Sequence, residues 1–202
     1  MKPWRCFGKK TIGLIVGAGL LSVGVVMACQ STGGSQMMVE IGKPAPDCTF
    51  PAPLDDGTTK LSDYQGKKNV VLAFYPKAFT PHCTQQMCGY RDSINAFNEA
   101  DTVLIGISLD TLEKSRAFKD QYHLPFSIVA DPDRIIVKKY GVPVINLLFV
   151  KMAKRSVFLI DKEGVIRYVN RSYNVQRDEA TLINEVKKLA PAASPILPSV
   201  TP

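Results

Sequence analysis

Val70-Val71-Leu72-Ala73-Phe74-Tyr75 is an unbroken apolar run of strand length, and Val103-Leu104-Ile105-Gly106-Ile107 is a second one. Such runs lack the alternation of a half-wet strand and belong to strands covered on both faces. Ser127-Ile128-Val129-Ala130 reads as a third strand. Between these runs, residues 81 to 98 and 111 to 122 have helical periodicity, and a shorter helix is expected over 132 to 140, ending at Gly141. Ser156 to Ile160 and Val165 to Val169 flank Asp161-Lys162-Glu163-Gly164, turn chemistry that predicts an antiparallel hairpin at the end of the sheet. A last helix has Asp178 available as its cap, an apolar face of Leu182, Ile183, Val186 and Leu189, and Pro191 as its stop. The alternation begins near Val39 and describes an α/β domain with a largely parallel sheet. With 202 residues, 46% of them hydrophobic, the chain is long enough for one such domain plus tails.

The first residues follow another pattern. Lys2, Arg5, Lys9 and Lys10 precede an uncharged apolar run from Thr11 to Ala28, which reads as a targeting element. A cleaved secretory signal, a retained membrane-spanning helix and a lipoprotein signal all fit its length. The lipoprotein reading fits best, because Val26-Met27-Ala28-Cys29 resembles a bacterial lipobox and a Ser/Gly-rich stretch follows. Met27 is an unusual occupant of that motif. On this reading residues 1–28 are the signal or anchor, Cys29 is the lipidated residue, 29–38 are a tether, 39–190 are the domain and 191–202 are a disordered tail. The domain then faces the cell envelope, in the periplasm or exterior. The formal charge of +7 owes much to the leader: without its four cations, 21 Lys and Arg face 18 acids. No basic cluster with interleaved aromatics follows, so nucleic-acid binding is not expected.

Of five cysteines, Cys48, Cys83 and Cys88 fall in the domain. An odd number argues for a free or transiently paired thiol rather than a purely structural framework. Thr80-Pro81 is a helix-start signal, with Thr at the N-cap and Pro at the first helical position. Cys83 is then the third helical residue, among unpaired backbone N–H groups at the positive end of the helix dipole, which favour a thiolate. The spacing of Cys83, Met87, Tyr90, Ile94 and Phe97 puts Cys83 on the core-facing stripe and Cys88 off it. Five residues along a helix separate Cα atoms by about 8.6 Å, whereas a disulfide needs roughly 4.4–6.8 Å. Any pairing of the two requires the first turns to unwind, which Gly89 eases.

The segment Phe74 to Asp92, with Pro76, Thr80, Cys83 and Cys88 in the arrangement F-Y-P-K-x-x-T-x-x-C-T-x-x-x-C-x-x-R-D, resembles the active-site motif of peroxiredoxins, specifically the peroxiredoxin Q or bacterioferritin-comigratory-protein group. The likeness extends over about residues 40 to 190. It implies a thioredoxin-like fold with a central mixed β-sheet flanked by helices, Cys83 as peroxidatic nucleophile, and Cys88 as resolving cysteine. It also implies an arginine before a late strand, the position of Arg155. By the same analogy the substrates are hydrogen peroxide and organic hydroperoxides and the reductant is a thioredoxin-like dithiol, with no cofactor or metal. Two positions depart from the motif: His82 stands where Gly is common, and Gln86 where Glu is common.

Displacement at peroxide oxygen passes negative charge to the departing oxygen, so donors and a cation are needed. Thr80 can hydrogen-bond sulfur or peroxide, Arg155 can stabilise both, and Pro76 can shield the sulfur from water. Cys48 is expected to pack, His82 to sit exposed at the helix start, His123 to be structural, and Arg91 and Asp92 to form a charged pair on the helix, with orientation of the site as the alternative role for Arg91. The competing functions are an envelope-anchored thiol-disulfide oxidoreductase, which lacks its C-x-x-C here, and a copper chaperone, whose C-x-x-x-C and late histidine are also missing. With no long apolar edge strand or added interface segment evident, a monomer is expected.

Overall fold

The computed structural model describes residues 39–190 apart from residue 53. The leader over 1–28, Cys29, the tether and the tail over 191–202 lie outside the described residues, so the expectations placed on them are not addressed by it.

A five-stranded sheet in the order β3-β2-β1-β6-β7 forms the centre. Its strands are β1 (Asn69–Phe74), β2 (Thr102–Ser108), β3 (Ser127–Ala130), β6 (Ser156–Ile160) and β7 (Ile166–Asn170). β1, β2 and β3 run parallel, while β6 and β7 are antiparallel, so the sheet is mixed rather than largely parallel. The hairpin expected at the sheet's end contributes β7 to the edge, but its first strand, β6, lies inside, beside β1.

β1 is buried at every residue, as its unbroken apolar run requires. Val70, Leu72 and Phe74 join one core layer, with Ile136 and Val137 from α4 (Ile135–Lys139) and Tyr140 just after it. Val71, Ala73 and Tyr75 join the other, beneath α1 (Pro81–Asp92), α2 (Ile94–Glu99), α3 (Leu112–Gln121) and α5 (Glu179–Lys187). Gly106 in β2 lies under α1. A Cβ there would come within 2.7 Å of Ile128 Cδ1 and 3.4 Å of Met87 Sδ, so the glycine lets the helix bearing Cys83 settle on the sheet.

Several boundaries differ from the sequence expectation. The helix over 81–98 is two helices, interrupted at Ser93, whose hydroxyl donates to Glu179 Oε1 at 3.2 Å. Asp92-Ser93 is a poor helix interior, because short polar side chains compete for local hydrogen bonds. Asp178 precedes α5 but does not cap it. Its carboxylate instead accepts from Asn174 N and Asn170 Nδ2, both at 2.9 Å, and so ties down the preceding loop. Between α4 and β6 stands a separate two-stranded hairpin, β4 (Val144–Leu147) and β5 (Val150–Ala153), that the sequence reading did not anticipate. It exposes Ile145, Leu147, Leu148, Phe149 and Val150. This exposed apolar segment was not singled out in the sequence.

Candidate active site

The sheet register assembles the site. Phe74, the last residue of β1, pairs with Ile107 of β2 on one side and Ser156 of β6 on the other. The loop leaving β1 at Tyr75-Pro76, the end of β2, and Arg155 just before β6 therefore meet at one edge. This is the carboxyl edge of the parallel strands, where open α/β sheets carry their ligand sites.

That loop, from Pro76 to Thr80, is fixed from below. Ala78 N donates to Asp110 Oδ2 at 2.7 Å, and Lys114 Nζ holds Asp110 Oδ1 at 2.9 Å. Phe79 adopts φ 65°, a costly left-handed conformation for a bulky residue. Its ring packs edge-on against Phe118 at 5.1 Å, which offsets part of that cost. Asp110 and Phe79 were not identified from the sequence. An acid two residues beyond a buried parallel strand was the available signal for the first, and nothing local marked the second.

Thr80 is the N-cap and Pro81 the first residue of α1, as expected, but the Thr80 hydroxyl donates to Lys77 O at 2.9 Å instead of capping the helix. Its hydrogen is thereby committed, and its oxygen remains an acceptor. Cys83, third in the helix, is buried. Met87, Tyr90 and Phe97 of the same stripe are buried with it, and Ile94 packs against them. Cys88 is half-buried and off the stripe, on the same continuous α1.

Arg155 reaches the sulfur: its Nη2 lies 3.2 Å from Cys83 Sγ. Its Nη1 donates to Gln86 Oε1, and Gln86 Nε2 contacts the Tyr90 hydroxyl at 3.1 Å. Gln86 is fully buried, so this amide is a fixed brace for the guanidinium. Burial raises the Tyr90 phenol well above its ordinary value, which keeps it a neutral partner. A cavity lined by His82, Arg155 and Tyr173 to Gln176 opens onto the guanidinium.

The remaining singled-out residues lie elsewhere. Cys48 is buried in the opposite core layer, where burial, reinforced by the charge of Asp47, pushes its thiol up to about 12. His82 is exposed at the helix start, and His123, at φ 49°, follows the end of α3. Arg91 pairs with Asp92 at 2.9 Å and donates to Tyr122 O. A guanidinium against Cys83 suits an anionic sulfur and an anionic leaving oxygen, and opposes a bound copper cation.

Residues 41–169 match the model of the AhpC/TSA family. Peroxiredoxin Bcp of Bacillus subtilis is 40% identical over 158 residues, which cover 76% of this chain and 99% of that protein. Among solved structures, Peroxidoxin BcpB from Mycobacterium tuberculosis superposes with a TM-score of 0.66 at 28% identity, over 76% of this chain and 99% of that one. A cysteine-to-serine variant of PrxQ from Xylella fastidiosa gives the same score at 26% identity, over 76% and 98%.

Proposed function

Because this chain belongs to the AhpC/TSA family, and is thus a peroxiredoxin and a thiol-dependent peroxidase, we propose that Cys83 is its peroxidatic residue and Cys88 its resolving one. The observation that carries the assignment is the contact of Arg155 Nη2 with the buried Cys83 sulfur, 3.2 Å away at the start of α1.

The Cys83 thiolate attacks one oxygen of the hydroperoxide. The O–O bond breaks, and the departing oxygen takes the electron pair and then a proton from solvent to leave as water or alcohol. Arg155 and the first-turn N–H groups stabilise the negative charge as it moves from sulfur to oxygen. Thr80 Oγ1, having given its hydrogen to Lys77 O, accepts from the peroxide hydroxyl and orients it. Pro76, on the loop leaving β1, is assigned the role of shielding the sulfur from water.

Cys83 is left as sulfenic acid. The Cys88 thiol displaces its hydroxyl as water and forms the disulfide, which a thioredoxin-like dithiol then reduces while becoming a disulfide itself. Pairing requires α1 to unwind between the two cysteines, because a continuous helix holds their Cα atoms about 8.6 Å apart. The basic and then apolar leader ending at Cys29 supports an envelope location, with the domain held at a membrane by a lipid or a helix.

Trapping tests the assignment. In Cys88→Ser, one equivalent of hydrogen peroxide followed by dimedone is expected to place the adduct on Cys83. An adduct confined to Cys48, or none, would remove Cys83 from the reaction.

A further inference from the structure

The β4–β5 hairpin carries apolar residues where hairpin chemistry does not want them. Its two-residue turn is Leu148-Phe149, and Leu148 sits at φ 53°, a position suited to Gly or Asn. Leu148 is 90% exposed and Phe149 100% exposed, so neither gains any packing in the folded domain. Ile145 and Leu147 on one strand and Val150 on the other extend the apolar surface, while the base is secured by buried Ala153 and by Lys154 N donating to Pro143 O at 2.7 Å. The tip is thus a protrusion rather than a flat patch, apolar around its end and firmly rooted.

Cationic residues flank it on one side. Phe149, Val150 and Lys151 share a cleft with Pro76, Lys77 and Arg134. The only acid lining that cleft, Asp110, is already paired with Lys114. An apolar tip flanked by a cationic cleft is the pattern that suits an anionic lipid surface.

The route of the chain points the same way. Arg171 donates to Val39 O at 3.1 Å through Nη2, and to Tyr140 O and Gly141 O at 2.9 and 3.0 Å through Nη1. Val39, where the N-terminal extension enters the domain, is therefore tied to the residues that lead directly into the hairpin. The ten Cα–Cα steps from Cys29 to Val39 span at most about 35 Å. An extension of that reach leaves the root of the hairpin, beside Val39, within range of a surface to which the extension is attached.

We propose that the tip of the β4–β5 hairpin, Leu147 to Val150, inserts into the surface of an anionic lipid bilayer, giving the domain a membrane contact separate from its N-terminus. The cleft shared with Pro76 and Lys77 then places the loop before Cys83 beside the lipid.

Tryptophan fluorescence tests this in the full chain, whose only tryptophan is Trp4. Trp4→Phe combined with Phe149→Trp puts the single fluorophore at the tip, and a fully exposed position tolerates the change without loss of fold. On vesicles of phosphatidylcholine and phosphatidylglycerol, its emission is expected to move to the blue and to be quenched by dibrominated phosphatidylcholine. The same probe at the opposite end of β1, from Trp4→Phe with Lys67→Trp, is expected to do neither. Three outcomes overturn the proposal: a tip probe that stays water-like while the chain is bound to vesicles, which leaves N-terminal anchoring intact; no vesicle binding at all; or a blue shift without lipid that grows with protein concentration, which would assign the tip to a second copy.

Discussion

Arg155 Nη2 and Cys83 Sγ lie 3.2 Å apart although 72 residues separate them in the chain. The register that sets Phe74 against Ser156 makes this possible, and the buried Gln86 amide keeps the guanidinium aimed at the sulfur. Arg155→Met is expected to slow oxidation of Cys83 by roughly 10- to 100-fold, the range for losing a charge-assisted hydrogen bond to the reacting atom. Gln86→Glu keeps the volume but adds a carboxylate that competes for the guanidinium, and is expected to slow the same step by about 2- to 10-fold. Stopped-flow measurement of the first peroxide step checks both. An unchanged rate in Arg155→Met would show that the contact does not serve the chemistry.

Cys48 serves as the internal comparison. With its thiol pushed up to about 12 by burial, only about one part in ten thousand is thiolate at pH 8. Mass spectrometry after a short iodoacetamide pulse at that pH is expected to leave Cys48 unlabelled, and Cys48→Ala to retain wild-type turnover. Rapid labelling of Cys48 would contradict its inert placement.

Glu179, at the start of α5, occupies the space that a side chain at residue 89 would need: a Cβ on Gly89 would come within 2.5 Å of Glu179 Oε2. Burial raises the Glu179 carboxyl above its ordinary 4.5, outweighing the Ser93 hydrogen bond. The folded state therefore holds this proton to higher pH than the unfolded chain does. This term makes stability fall as pH rises from 4.5 through the folded value. Glu179→Gln removes the term, so its urea midpoint is expected to match wild type below pH 4.5 and to exceed it at neutral pH. A neutral-pH midpoint below that of wild type would reverse the sign of this argument.

Much of the architecture was legible because its signals are local. The runs at 70–75, 103–107 and 127–130 became β1, β2 and β3, and the stripe from Cys83 to Tyr90 became the buried face of α1. The turn at 161–164 likewise joined an antiparallel pair. What the sequence did not disclose depends on tertiary partners. Asp178 had better acceptor duties in the preceding loop than at its helix, and Ser93 was drawn to Glu179. The Thr80 hydroxyl turned back to Lys77 O. The β4–β5 hairpin was hidden because its turn holds Leu and Phe instead of Gly or Asn. In the site, the position of the proposed nucleophile at the helix start followed from Thr80-Pro81, whereas Arg155 was found through family resemblance, since nothing near it in the chain hints at a cysteine 72 residues away.

The central claim, that Cys83 performs the peroxidase chemistry and Cys88 completes it, is tested most directly by hydrogen peroxide consumption in the presence of a dithiol, for wild type, Cys83→Ser and Cys88→Ser. Consumption by wild type that vanishes in Cys83→Ser is the expected result, with a reduced Cys88→Ser enzyme still giving one rapid turnover before it depends on the external thiol. Wild-type rates in Cys83→Ser, or a wild-type chain that consumes no peroxide, would contradict it.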